Sequence, residues 1–380
     1  MFRLKGVLLF WVAFPLLVSA QKDYKGRVLD AKTNTPIPYV NIGIVNRGIG
    51  TVSDEDGIFH LPLDTSKFAP DEKILFSSLG YKPLEIPVNE IELVYNSYPE
   101  IKLNPEAVRL NEVVVTNIEG EFIDEAIGYK NKGEAIFGYW KDNVALGGQL
   151  ATRIRVKKGL RKLNELGFEI WSSTSDSVLI RINIYNVDSF GMPGKNLNTS
   201  NENILYTIKK GQRFADLDLR PFSLFTEDDF IVSLELLKVY GGEELGLIMA
   251  AIKFDTDSFR RFASQDEWEK VPFSAMAFYL KSSVLVSKKA AERINRRNQK
   301  KKRNLPMVSG FSIHRGRMVA DVGIRNLRTK ELVHTDASGR YSIHAAFKDV
   351  LCFEKPGYET KCYEIQKKRT LNAQMYLTEK

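Results

Sequence analysis

Histidine and cysteine are scarce in this chain, with four of the first and two of the second in 380 residues. Two cysteines rule out a four-cysteine zinc site. The histidines, His60, His314, His334 and His344, form no H-E-x-x-H or H-x-x-E pair, so the zinc-peptidase patterns are absent. His60 and His344 fall just after turns at strand positions, where a structural role is expected. No G-x-S-x-G elbow and no phosphate-binding glycine loop appears. From Tyr129 to Val286 there is neither histidine nor cysteine, and the carboxylates, lysines, serines and tyrosines there make no paired motif. The sequence therefore reads as a non-enzyme, with no cofactor and no metal expected. After residue 20 no apolar run is long enough to cross a bilayer as a helix.

Net charge is close to zero outside one segment. The chain carries 55 Lys and Arg against 47 Asp and Glu, a net of +8. Ser287 to Arg303 holds nine of those basic residues and one of the acidic ones, so the remainder has 46 of each. The segment is rich in helix formers but offers no apolar face, which predicts a solvated or frayed helix within a basic linker at 287–306. A basic run can bind phosphates, but export disfavours nucleic acid as partner. The reading keeps two options, an anionic membrane or glycan surface met by Lys288–Arg303, or a soluble spacer.

Export is read from residues 1–20. Arg3 and Lys5 precede an apolar stretch from Val7 to Val18, and Val18-Ser19-Ala20 suits cleavage before Gln21. No cysteine follows the site, which argues against a lipid anchor. The expected location is the periplasm or the outer-membrane surface.

The organising stretch is Val40–Tyr81. Val40, Ile42 and Ile44 alternate with Asn41 and Gly43, the period of a strand with one buried face. Ser53-Asp54-Glu55-Asp56-Gly57 is a turn, in which carboxylates bond their own backbone and Gly57 takes a positive φ. Phe59 and Leu61, then Ile74 and Phe76, continue the strands, and Gly80-Tyr81 opens the next turn. Asp54 and Asp56 are half of a calcium loop, but the further oxygen ligands are lacking, so the turn is the expectation. The same grammar returns with Val322, Ile324, Thr335 to Gly339, Tyr341, Ile343, Leu351, Phe353 and Gly357-Tyr358. The offset is 282 residues before the loop after Leu61 and 277 after it. Two copies so far apart cannot form a solenoid.

The residues G-R-V-L-D, T-P-I-P-Y-V-N-I, S-D-E-D-G-I-F and L-G-Y-K resemble the carboxypeptidase regulatory-like domain, closely from Lys25 to Leu103 and more loosely from Met307 to Lys380. The resemblance implies a small prealbumin-like β-sandwich and a cell-envelope setting, since such domains precede the plug of TonB-dependent receptors. It does not imply peptidase activity. Leu110 to Thr116 resembles the segment that joins this domain to the plug, and reads equally well as an edge strand.

The centre differs. Thr152, Ile154 and Val156, then Phe168 and Ile170, then Val178 to Ile184, then Phe230 to Leu236 each alternate with polar residues, and turn-rich segments separate them. That predicts an antiparallel, jelly-roll-like β-sandwich. The expected architecture is all-β, with two small modules flanking a larger sandwich: leader 1–20, module 21–104, linker 105–128, sandwich 129–286, basic linker 287–306, second module 307–380. In the sandwich Trp140, Trp171, Tyr185 and Trp268 are candidate sugar-stacking aromatics. Trp171 and Tyr185 alternate against buried neighbours, and with Arg153, Arg155 and Arg181 they form either a ligand face or the surface that packs on the modules. Cys352 and Cys362 each lie five residues from Gly357, so a hairpin turning there opposes them and an exported protein joins them in a disulfide. The functional expectation is a non-catalytic binding or scaffolding protein of the bacterial envelope. The alternative is a carbohydrate-binding accessory of an uptake system.

Overall fold

The computed structural model describes residues 22–97, 100–106, 120–133, 135–140, 145–241, 245–253, 256–366 and 370–377. The expected leader at 1–20 and the Leu110–Thr116 segment lie outside the described residues. The protein is all-β and divides into two compact units, one reaching to Leu285 and the other starting at Val286, with 119–121 grouped in the second.

The first unit begins with a small module of two sheets. In one, Lys22–Asp30 lies antiparallel to Ile58–Leu63 and parallel to Glu100–Leu103. The other has the order Ile49–Val52, Asn41–Ile44, Lys73–Ser77, Leu84–Pro87. The alternation read from the sequence sets the faces: Phe59, Leu61 and Leu63 are buried while Ile58, His60 and Pro62 are exposed. Val28, Ile42, Ile74 and Phe76 join them in a core sealed from solvent. At the turn, Asp54 Oδ1 accepts hydrogen bonds from the backbone of Asp56 (3.0 Å) and Ile58 (2.8 Å). Gly57 has φ +73°, and a Cβ there would stand 2.6 Å from the Val28 carbonyl, so only glycine fits.

The rest of the first unit is a sandwich of a seven-stranded and an eight-stranded sheet, antiparallel in every pairing among the described residues. Four strands matter for the site. Ser177–Val187, Phe230–Tyr240, Gln149–Ile154 and Ser258–Arg261 lie side by side in that order. Their inward faces (Val178, Ile180, Ile182, Ile184, Val232, Leu234, Leu236, Ile154) pack on Leu163, Leu166, Phe168 and Ile170 of the facing sheet. Trp140 is 1% exposed within this core, which removes it from the sugar-stacking candidates. The stretch expected as a linker at 105–128 contributes a strand, Glu121–Gly128, paired with Tyr279–Val286.

The second unit opens with the basic segment, expected as a solvated or frayed helix, which is a continuous and mostly exposed 16-residue helix, Lys288–Arg303. Ser287 caps it, its Oγ accepting from Ala290 N at 3.4 Å. Ala291 is fully buried and Ile294 half-buried, so the helix has the narrow apolar contact that composition did not reveal. Two sheets follow. Met307–His314 lies antiparallel to Arg340–His344 and parallel to Ala373–Gln374. Leu332–His334, Gly323–Asn326, Val350–Glu354 and Lys361–Glu364 make the other, in that order. Strand order and pairing sense match those of the N-terminal module. The turn chemistry matches as well. Asp336 Oδ1 accepts from Ser338 N and Arg340 N, both at 2.9 Å, and Gly339 has φ +71°. Tyr39 and Asp321, equivalent at the 282-residue offset, both take left-handed backbone, with φ of 56° and 52°. A clamp that pattern reading missed also recurs: Arg47 forks onto Glu72, and Arg328 onto the buried Asp349. Cys352 and Cys362 are directly opposed across the hairpin, Cα atoms 4.0 Å apart, and joined by a disulfide. The equivalent pair in the first module is Leu75 and Glu85.

Candidate functional site

The outward face of the seven-stranded sheet alternates with its core face. On Ser177–Val187 it presents Leu179, Arg181, Asn183 and Tyr185. Register then builds a row across four strands, because Arg181 pairs with Glu235, Glu235 with Gln149, and Gln149 with Arg261. Neighbouring strands are about 4.8 Å apart, so the row spans roughly 14 Å. Its four polar residues are scattered along the chain, and only strand pairing unites them.

The N-terminal module covers one end of this row. Val52 packs on Leu179 and Leu237. The opposed glycines Gly43 and Gly50 lie on the carbonyl of Ser264, where a Cβ on either would come within 2.4 Å of that oxygen. Asn46 N donates to Gln265 O at 3.0 Å, Gly48 N to Asp266 Oδ1 at 2.9 Å, and Lys238 pairs with Glu55 at 2.9 Å. A glycine inside a strand marks a close approach of another backbone, and this is the one signal in Val40–Ile44 that foretold the seam.

Arg181 is the centre of the seam. It is 5% exposed and Glu235 1%. Its Nε and Nη2 donate to the two Glu235 oxygens at 2.9 and 2.8 Å, and Asn183 Nδ2 adds a third bond to that carboxylate at 2.7 Å. Across the seam Nη1 donates to Tyr39 O (2.9 Å) and Nη2 to Asn41 Oδ1 (2.7 Å), while Asn203 Oδ1 accepts from Nη1 at 3.1 Å. All five guanidinium donors are used. Burial pulls the Arg181 pKa down, but the bidentate Glu235 carboxylate more than offsets this and holds it above the ordinary arginine value. Arg181 is thus committed to joining module and sandwich, the packing role, and has no donor left for a ligand.

Beside this pair lies a polar cavity of about 240 Å³, lined by Asn41 and Ser77 from the module and by Gln149, Tyr185, Asn203 and Arg261 from the sandwich, among others. Tyr185 donates to Gln149 Oε1 at 3.1 Å, and its ring meets Trp268 edge-on at 5.9 Å. Burial pushes the Tyr185 phenol up. The Arg261 guanidinium stacks over the other aromatic, 4.2 Å from the centre of the Trp268 ring.

The structure does not assemble the expected ligand face. Trp171 sits on Arg161–Ser173 in the eight-stranded sheet, against Phe137 and the Ala250, Ile252, Ala275, Ala277 cluster, while Tyr185 is in the other sheet. Alternation told that both point outward, not that they point from different sheets. Arg153 shares the Tyr185 face, two strands away, but Asp229 (2.9 Å) and Asp257 (3.2 Å) neutralise it, and Arg155 approaches Asp257 at 3.9 Å. Neither lines the cavity. Pattern reading missed Glu235, Gln149, Asn41, Asn203 and Arg261. A signal existed for the first: Glu235 interrupts a Leu-rich strand as Arg181 interrupts an Ile-rich one, and opposite charges in two buried strands imply a pair. Among the described residues no group of three or more His, Cys, Asp or Glu side chains is placed to hold a metal, and no helix is long and apolar enough to cross a membrane.

Residues 24–115 match the family model of the CarboxypepD_reg-like domain, a regulatory-like and non-catalytic module. No curated protein matches the chain. Solved structures resemble it only distantly. A structure of infectious bursal disease virus, Gt strain, is 10% identical with a TM-score of 0.24, over 73% of this chain and 63% of that one. BcpA, the major pilin subunit of Bacillus cereus, is 8% identical with a TM-score of 0.16, over 94% and 100%. The T6 backbone pilin of serotype M6 Streptococcus pyogenes is 10% identical with a TM-score of 0.14, over 91% and 81%. The chain spans less than two thirds of the length of the viral chain.

Proposed function

We propose that this is a non-catalytic binding or scaffolding protein exported to the bacterial cell envelope, in which the N-terminal regulatory-like module forms one wall of a binding cavity. The observation that carries the reading is the seam. A tethered accessory domain needs no buried charge at its seam, whereas here the sandwich's own Arg181–Glu235 pair is taken out of water and Arg181 donates across the seam to Tyr39 and Asn41 of the module. Such a pair costs desolvation and is retained where it specifies one arrangement. In this reading the second unit is a degenerate second copy of the module, and the Lys288–Arg303 helix, with nine basic residues and one acidic, meets an anionic membrane or glycan surface. The leader at 1–20 and the Cys352–Cys362 bridge suit an oxidising, exported setting.

The carbohydrate-binding reading is favoured by a separate observation, the amide-lined cavity beside the Tyr185–Trp268 pair. A pull-down from envelope extracts with the tagged mature chain, run beside a glycan array, separates the two. A retained envelope protein with no sugar signal supports the scaffold. Sugar binding without a retained protein supports the alternative. The absence of both results defeats the binder reading, and a full-length Met1 terminus on the native protein in place of Gln21 would make the leader an anchor.

A further inference from the structure

The hydrogen bonds around the cavity leave it with a surplus of donors. Asn41 and Asn203 each spend their side-chain oxygen on Arg181, and Gln149 spends its oxygen on Tyr185 (3.1 Å) and Ser233 (2.7 Å). Among the described residues, the amide nitrogens of these three find no acceptor. Gln149 as a whole is 1% exposed and lines the cavity. Arg261 adds a full positive charge. Among the described residues it forms no ion pair and no side-chain hydrogen bond, and its Nε is buried without a partner. Burying donors without acceptors is costly, and an unsatisfied buried donor in a cavity marks a place for a ligand or ordered water. The charge count agrees: Arg181 is balanced by Glu235, no carboxylate lines the cavity, and Arg261 remains.

We propose that this cavity binds a single sugar ring carrying one carboxylate, with Arg261 as the anion-recognising residue and the amides of Gln149, Asn41 and Asn203 donating to ring hydroxyl and carboxylate oxygens. The inference deepens the carbohydrate-binding reading and rests on it. Size sets the ring number. At about 240 Å³ the cavity falls below the roughly 300–1,000 Å³ of drug-sized pockets, so one ring fills it. Stacking on Trp268 covers one face of the Arg261 guanidinium and leaves its edge, whose parallel N–H groups match a carboxylate fork. Leu79 is the apolar side chain left to the cavity for the C–H face of a sugar, because Ile182 and Ile204 bury theirs in the sandwich core.

Calorimetric titration of the mature chain tests this with glucuronate and galacturonate, the corresponding neutral uronamides and hexoses, acetate and inorganic phosphate. One uronate should bind at least about tenfold more tightly than its uncharged analogues, weaken as salt rises, and lose that preference in Arg261→Gln. Arg261→Lys, which keeps the charge but not the fork, should fall between. The comparison of uronate with uronamide uses wild-type protein and stands even if a variant misfolds. Equal binding of charged and neutral sugars overturns the inference and leaves the carbohydrate reading intact. Acetate or phosphate binding as tightly as the uronate overturns the sugar ring. An unchanged preference in Arg261→Gln overturns the assignment of that residue. No binding by any sugar overturns both this inference and the carbohydrate reading.

Discussion

Removing the Arg181 guanidinium should cost far more than its position on a strand surface suggests. Arg181→Met keeps the stem and its packing but leaves Glu235, 1% exposed, with Asn183 as its one remaining donor among the described residues. Breaking a buried pair from one side typically costs about 3–5 kcal/mol. It also strips the Tyr39 carbonyl of its seam donor, whereas Asn41 and Asn203 can turn to the cavity. Tryptophan fluorescence is a clean reporter, because Trp140, Trp171 and Trp268 all lie in the sandwich and the fourth, Trp11, lies in the expected leader. With a urea slope of about 2.5–3 kcal/mol/M, the sandwich midpoint should fall by about 1–2 M. The double variant Arg181→Met, Glu235→Leu removes both charges and should recover most of the loss, since an apolar replacement of a whole buried pair is often close to neutral. About 1–2 kcal/mol should remain for the orphaned Tyr39 carbonyl. A single-variant cost below about 1 kcal/mol, or a double variant equal to the sum of the singles, would refute the account of the seam.

Three further outcomes follow from the second unit. The Cys352–Cys362 bridge closes a loop of sequence separation 10 and should contribute about 2–3 kcal/mol on the chain-entropy model, so Cys352→Ser with Cys362→Ser should expose peptides of 307–377 to faster hydrogen exchange. Denatured, unreduced protein should show no free thiol to Ellman's reagent, and two free thiols would remove the bridge. Changing the nine basic residues of Lys288–Arg303 to Gln should abolish binding to anionic vesicles without lowering the sandwich midpoint, and equal binding by both proteins would leave the helix a spacer. Burial pushes Asp349 up, but the Arg328 fork, the Asn326 amide and the Ala346 N–H outweigh it and hold its pKa below that of an ordinary aspartate. Because the folded value is depressed, the stabilisation is complete above the unfolded value of about 3.9 and is lost as pH falls through the folded one. Exchange protection of 307–377, corrected for intrinsic rate, should therefore weaken below about pH 4, and Asp349→Asn should flatten that acid limb. An identical limb in the variant would place the acid sensitivity elsewhere.

The amino-acid sequence alone determined what depends on neighbours within about ten residues. Alternation at Val40–Ile44 and Phe59–Leu63 set which face is buried, because a strand has period two. Asp54 and Gly57, and again Asp336 and Gly339, set the turns, because a carboxylate two to four residues from the backbone it bonds and a residue free to take positive φ need no distant partner. The hairpin that opposes Cys352 and Cys362 is local for the same reason. Helix formation at Lys288–Arg303 was half legible: propensity and the Ser287 cap are local, but the burial of Ala291 is not. Only tertiary structure decided the site. Gln149, Arg181, Glu235 and Arg261 become one row through the register of four strands, and a shift of one residue in any pairing would turn that strand's member to the opposite face. Alternation showed that Trp171 and Tyr185 point outward, but not that they belong to different sheets. Nor does any local pattern tell whether an outward arginine meets water, a ligand or another domain. Arg181 meets the module, Arg153 meets two aspartates, and Arg261 is left facing the cavity without a counter-charge among the described residues, because charge balance is settled by which chains of residues fold against one another and not by their order.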